Sequence, residues 1–450
     1  MLIKVKVSNF MSIGQLQELS MISGMVRGKR DHLHISKDIN LLRLSTIYGA
    51  NASGKSNLIS ALEFAQQSII RDIPKGYINK YNRTDKSNVN SPSHFEFEIK
   101  IDKKYYAYGF QIVLNKNSII SEWLYELSSD NHRTEIFYRN LCDKKFSLGK
   151  YFKDGDIINR LKIYFDDVKS QDSVLFLSEM NRNKSDLYKK KSELVVFSNV
   201  FKWFRNNLDI NYPDKVFSNY SYFMKKAYSE EICETIRAFD TGITNFKIID
   251  AKREELSNTV PADMLKEIFD ELEKEITKSK KQNADIEHLG ILLRSNKDFY
   301  IFDVTKEYDI EIKTIEFEHG QCGTFKLSEE SDGTRRILEL IEILFSENDN
   351  KVYVIDEIDR SLHPLLTYQF IKSYLNSLGN RKTQLIVTTH ESRLLDLELL
   401  RRDEIWFMNK NAQGHSELYS LEQYNERFDK KIDKAYLEGR YSAIPNFREE

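Results

Sequence analysis

The string GANASGKS, Gly49 to Ser56, constrains this chain more than any other part of it. It meets G-x-x-x-x-G-K-[ST] at every fixed position. An apolar run, Asn40 to Tyr48, leads into it, and a helical pattern, Asn57 to Ile70, leads out, with Leu58, Ala61, Leu62, Ala65 and Ile69 on one face. A strand, a glycine loop and a helix in that order predict an α/β fold. Gly49 and Gly54 let the backbone curl so that its amides face phosphate oxygens, and the helix start adds its positive dipole end. In that geometry Lys55 reaches the β- and γ-phosphates and Ser56 ligates Mg²⁺.

A second region, Ser328 to Pro364, supplies what such a loop lacks. Its strand, Lys351 to Ile355, ends in Asp356 and Glu357, at the edge where α/β sheets bind ligands. Asp356 suits Mg²⁺, and Glu357 suits the orientation of an attacking water. Upstream, Ser331-Asp332-Gly333-Thr334 opens a helix and can form an anion site at its start. Taken alone, the acids could be a helix-capping pair and Ser331 a plain N-cap. Their order after a phosphate loop favours a nucleotide site, with Ser331 and Gly333 serving the nucleotide of a second copy. His390, in VTTHES after the strand Gln384 to Thr388, can hydrogen-bond a γ-phosphate, although a lone histidine often only caps a strand. Asp359 in IDRSLHP sits where it could face the partner copy, while His363 and Pro364 suit a helix start.

Around these motifs, Leu2 to Val7 alternates as a strand, His94 to Ile101 and Tyr105 to Leu114 read as a hairpin, and Ile119 to Leu127 extends that sheet. Asp72 to Pro92 reads as a surface loop. From about Asp167 to Lys281 the pattern turns mainly helical, most clearly over Ala262 to Ile276. The expected organisation is an N-terminal lobe over 1–165, a mainly helical insert over 166–298 and a C-terminal lobe over 299–450. Heptads are not sustained, so a compact insert is expected, not a coiled-coil arm.

A net charge of -2 gives no global drive toward nucleic acid or membrane. Two basic clusters, Lys184 with Lys189 to Lys191, and Lys278 with Lys280 and Lys281, could form a nucleic-acid footprint but read better as solvated faces. Three scattered cysteines suit a reducing cytoplasm, and no run is long enough to span a bilayer.

The order GANASGKSN, SDGT, VYVIDE, IDRSLHP and VTTHES resembles the ABC-type ATPases of the SMC, RecF and OLD kind. There these segments serve as Walker A, signature, Walker B, D-loop and H-loop. YGANASGKSN, SDGTRR, RRDEIWF and GRYSAIP are more specifically similar to stand-alone ATPases of bacterial anti-phage systems, such as the RloA, AbiL and PARIS ATPase components. The resemblance implies an ABC-type head with an N-terminal antiparallel β subdomain. It implies ATP contacts from Gly49, Asn51, Gly54, Lys55, Ser56, Asn57, Ser331, Gly333 and Asp359, metal ligation by Ser56 and Asp356, and catalysis by Glu357 and His390. It further implies a cytoplasmic sensor and scaffold that dimerises around ATP, answers a phage-encoded trigger and controls a separately encoded nuclease. The alternative is a DNA-maintenance ATPase acting directly on DNA. A self-contained nuclease is disfavoured by the short chain after His390, and a transporter subunit by the insert. The signature reads SDGT where transporters have SGGQ, and the Q-loop residue is unassigned, Gln111 being a candidate by position alone.

Overall fold

A computed structural model describes residues 1–128, 132–188, 193–213, 221–224, 229–252, 256, 260–282, 290–294, 298–305, 307–346, 348–424, 432–441 and 444. The chain divides into two compact units. One comprises Met1–Pro213, Asn348–Asp359 and Leu375–Glu450, the other Asp214–Glu347 and Arg360–Tyr374.

Among the described residues the first unit holds two large sheets and a two-stranded one, Leu33–His34 with Leu41–Leu42. Its central sheet runs Leu208–Asn211, Val352–Ile355, Gln384–Thr389, Leu44–Tyr48, Ile405–Lys410, Ser416–Ser420. All neighbours pair in parallel except the last two. The three strands Leu44–Tyr48, Val352–Ile355 and Gln384–Thr389 are buried at every position, which explains why they read as unbroken apolar runs and do not alternate.

The other large sheet is antiparallel, in the order Lys145–Leu148, Arg133–Asn140, Ser118–Leu127, Lys104–Val113, Ser93–Ile101, Leu2–Ser8, Gln17–Ser20. It contains the expected hairpin and its third strand. The helix Lys55–Ile70 buries Ile59 and Phe64 in addition to the five residues of its predicted face. One apolar core joins this helix to both sheets, through Phe95 and Phe110 on one side and Ile47, Val354 and Ile386 on the other. A helix enclosed from both sides loses the one-sided pattern of a surface helix.

Directly opposite one another on two neighbouring strands of the antiparallel sheet, Glu122 and Arg139 form a buried ion pair, 2.7 Å apart with both side chains fully buried. The Glu122 carboxylate also accepts from Tyr108 Oη and from the amides of Phe176 and Leu177, and so caps the helix Phe176–Asn181. Every lone pair thus finds a donor, the condition under which a buried carboxylate is tolerated.

The second unit is built on an antiparallel sheet in the order Asn245–Asp250, Ile310–Glu318, Phe299–Val304, Gly290–Arg294, with Thr324–Lys326 paired to Ile310–Glu318. The helix Ala262–Gln282 buries Ile268, Leu272 and Ile276 against Tyr300, Phe302 and Ile312. Within 166–298 helices predominate among the described residues, accompanied by the short strands Leu208–Asn211, Asn245–Asp250 and Gly290–Arg294. The chain is therefore α/β, with a mostly parallel nucleotide-type sheet, an N-terminal antiparallel subdomain and a largely helical insert. Among the described residues no helix is long and apolar enough to cross a membrane.

Candidate functional site

Strand Leu44–Tyr48 delivers the chain into the glycine loop at the C-terminal edge of the central sheet. A Cβ on Gly49 would come within 2.4 Å of the Met408 carbonyl oxygen and 2.6 Å of Ser53 Oγ, so no other residue fits there. Gly54 takes φ +115°, a conformation L-residues rarely adopt, and Ala52 takes φ +62°. The helix then begins at Lys55, with Ser56 exposed and Asn57 half-buried. Its first amides have no intrahelical acceptors.

Lys55 is 5% exposed, and its Nζ donates to the carbonyls of Gly49 at 2.8 Å and Ala50 at 3.2 Å. Burial pulls its pKa down from 10.5 to about 8, against the opposing pull of Asp356, Glu357 and Asp359. Electrostatics therefore brings together four of the expected residues: the P-loop lysine and three acids from the segment after Val352–Ile355. His390 belongs to the same group. Its pKa is lowered by burial and then by the Lys55 ammonium, which outweigh those same carboxylates. Its amide approaches Asp359 Oδ2 at 3.3 Å.

The two central acids are locked by a residue that sequence reasoning passed over. Thr388 Oγ1 donates to Asp356 Oδ1 at 2.6 Å and accepts from the Glu357 amide at 2.8 Å. Glu357 itself sits at φ +49°. The available signal was a pair of threonines inside an otherwise apolar buried strand, QLIVTT.

Mg²⁺ takes oxygen ligands and is usually held by one or two carboxylates together with substrate phosphates. Asp356 and Ser56 make a donor set of that kind. Among the described residues no group of three or more His, Cys, Asp or Glu could hold a metal by itself. Among the described residues the buried Ser53 hydroxyl has no hydrogen-bond partner, which also fits a loop shaped for a ligand's oxygens.

Next to Asn57 opens a cavity of about 490 Å³, lined by Ser12, Lys80, Tyr81, Arg83 and Lys410 among others. Its wall is the segment 72–92, expected as a plain surface loop. Asn82 within it is fully buried, its backbone amide donating to Asn9 Oδ1 at 3.0 Å and its Nδ2 donating to the Met11 carbonyl at 2.9 Å. That tether is long-range in sequence, and composition could not reveal it.

In the second unit Ser331 caps the helix Asp332–Leu344, its hydroxyl accepting from the Thr334 amide at 3.1 Å. A Cβ on Gly333 would meet the Ser361 carbonyl at 2.9 Å. Asn51 is exposed at the crown of the P-loop. Gln111 lies in the antiparallel sheet and accepts from Ser121 Oγ. Lys184 is tied to Glu179 and lies over the Tyr164 ring, a structural engagement. Lys189, Lys190 and Lys191 lie outside the described residues, as do the side chains of Lys278 and Lys281. In RRDEIWF, Arg401 pairs with Asp403, and Glu404 holds His32 at 3.0 Å in the interior.

A family model described as "AAA domain, putative AbiEii toxin, Type IV TA system" matches residues 44–396. No curated protein matches the chain. Solved structures similar to it include an SmcHead bound to the C-winged helix domain of ScpA, with 15% identity, TM-score 0.42, and coverage of 93% of this chain and 97% of that one. Another is an SMC head domain from Thermotoga maritima, with 13% identity, TM-score 0.37, and coverage of 93% and 98%. A third is an Smc head domain with an extended coiled coil, bound to the C-terminal domain of ScpA derived from Pyrococcus furiosus, with 14% identity, TM-score 0.40, and coverage of 98% and 99%.

Proposed function

The chain belongs to the AAA-domain family described as putative AbiEii toxin of Type IV TA systems, and on that premise we propose that it binds and hydrolyses ATP as an ABC-type switch. The observation that carries this reading is the convergence of Lys55, Asp356, Glu357 and Asp359 in one electrostatic cluster at the mouth of the glycine loop. The loop amides and Lys55 would hold the β- and γ-phosphates, and Ser56 and Asp356 would hold Mg²⁺, which would neutralise charge on those phosphates. Glu357 takes a hydrogen bond from the attacking water and polarises it toward the γ-phosphorus. His390, whose pKa burial and then the Lys55 ammonium lower in the free chain, can donate to a γ-phosphate oxygen. Asn57 and the adjoining cavity, with Lys80, Arg83 and Lys410, suit the α-phosphate, ribose and base.

Ser331 and Gly333 of a second copy complete the site, with Asp359 near the seam, so ATP bridges two protomers and ADP does not. That difference in contacts makes the dimer a nucleotide-dependent state. In the cell this switch acts as the sensor and scaffold of an anti-phage system, controlling a separately encoded effector nuclease in response to a phage-encoded trigger. The motif strings similar to ATPases of such systems support this biological reading. Glu357→Gln should bind ATP without turnover and form a dimer with Mg²⁺-ATP but not with Mg²⁺-ADP. Light scattering that finds E357Q monomeric in saturating ATP overturns the bridging mechanism. ATP turnover raised severalfold by duplex DNA, with binding that weakens steeply with salt, would instead favour a DNA-maintenance ATPase.

A further inference from the structure

We propose that Thr388 is a positioning residue that presets both hydrolytic carboxylates through one hydroxyl; the assignment rests on the ATPase reading above. Strand Gln384–Thr389 pairs in register with Val352–Ile355, Ile355 lying opposite Val387, so Thr388 is the first residue past the paired end. It is fully buried after the apolar run Leu385, Ile386 and Val387, where a hydroxyl costs free energy unless both of its roles are filled. Both are filled, and both by the acidic turn: Oγ1 donates to Asp356 Oδ1 and accepts from the Glu357 amide. The Thr388 carbonyl adds a third tie, accepting from the Ile358 amide at 3.1 Å.

Three consecutive residues are thereby zipped to one threonine. Glu357 lies between the other two in the left-handed region, which a non-glycine residue occupies only where its surroundings impose it. With Oδ1 of Asp356 taken by Thr388, the carboxylate is fixed in rotation and its other oxygen remains for a cation. A partner of this sort behind a metal-ligating carboxylate orients the ligand and tunes its basicity. Valine has the same shape and keeps the packing, but it removes the hydroxyl and orphans both Asp356 Oδ1 and the Glu357 amide.

The experiment compares full-length wild type, T388V and T388S by two readouts. The first is Mn²⁺ affinity in the presence of ADP, followed by the electron paramagnetic resonance of free Mn²⁺. The second is steady-state ATP turnover. T388V should lose roughly 10–100-fold in Mn²⁺ affinity or in kcat, with the KM for ATP changed by less than about threefold, and T388S should recover both. Mn²⁺ affinity and kcat in T388V equal to wild type overturn the proposal. So does a T388S variant as impaired as T388V, since that would assign the effect to packing and not to the hydroxyl. A wild type that binds Mn²⁺ with ADP yet does not turn over ATP defeats the ATPase reading alone, and the Mn²⁺ titration still decides Thr388. Melting curves check folding, and T388A takes the place of T388V if the latter is unfolded.

Discussion

If Lys55 holds the nucleotide's phosphates, binding should be a proton-coupled event. In the free protein its ammonium is buried and its pKa falls from 10.5 to about 8. Keeping it charged there costs roughly 3 kcal/mol, at about 1.4 kcal/mol per pH unit. A bound triphosphate places several negative charges beside it and restores the charged form, so binding takes up a proton wherever the free lysine is neutral. The sign follows from the lowered pKa: the free site holds fewer protons than the bound site above pH 8, and nucleotide affinity falls as pH rises through that value. Uptake per site should be about 0.1 proton at pH 7, about 0.5 at pH 8 and about 0.9 at pH 9. Isothermal titration with ADP in two buffers of different ionisation enthalpy measures this directly. Lys55→Arg supplies the control, because a guanidinium stays charged throughout and removes the pH-dependent uptake while leaving the nucleotide's own ionisation unchanged. If wild type and K55R show the same uptake at pH 8 and 9, Lys55 is fully charged in the free protein and the reasoning is refuted.

Glu122→Gln leaves Arg139 charged in a fully buried position, and guanidinium chloride unfolding should show a loss of about 3–5 kcal/mol; a loss under 1 kcal/mol would mean that water reaches the pair. Asn82→Ala strands the Met11 carbonyl and frees the loop carrying Lys80 and Arg83, lowering stability by about 1–3 kcal/mol. The same variant should weaken binding of a fluorescent ATP analogue severalfold, and unchanged affinity would separate the cavity from the nucleotide.

What was legible in the sequence is what is local. The P-loop announces itself because its glycines answer a backbone demand within eight residues, and Asp356 and Glu357 because they end an apolar strand. The insert's strand Leu208–Asn211 was not legible: it directly follows the helical stretch from Val195 to Asn207, and its extended form comes from pairing with Val352–Ile355, far along the chain. Thr388, Asn82 and Glu122 escaped for a related reason. Each is a polar residue whose meaning lies in a partner distant in sequence, and a one-dimensional pattern records the residue without the partner. The two-sided burial of the helix Lys55–Ile70 is the same lesson in apolar form, since Phe64 meets Phe95 of the antiparallel sheet, ring centroids 5.1 Å apart.

The order of strands in the central sheet also governs how the molecule can be made. The strand that carries the glycine loop, Leu44–Tyr48, lies between Gln384–Thr389 and Ile405–Lys410. During synthesis, at roughly 5–20 residues per second, it waits on the order of tens of seconds for either neighbour to leave the ribosome. Until then its edges are unpaired and the loop has no sheet to fix its shape, a non-local arrangement that slows folding and invites chaperones. A chain cut short before Ile405 leaves one edge of the glycine-loop strand without its parallel neighbour, and its loop should hold nucleotide weakly if at all.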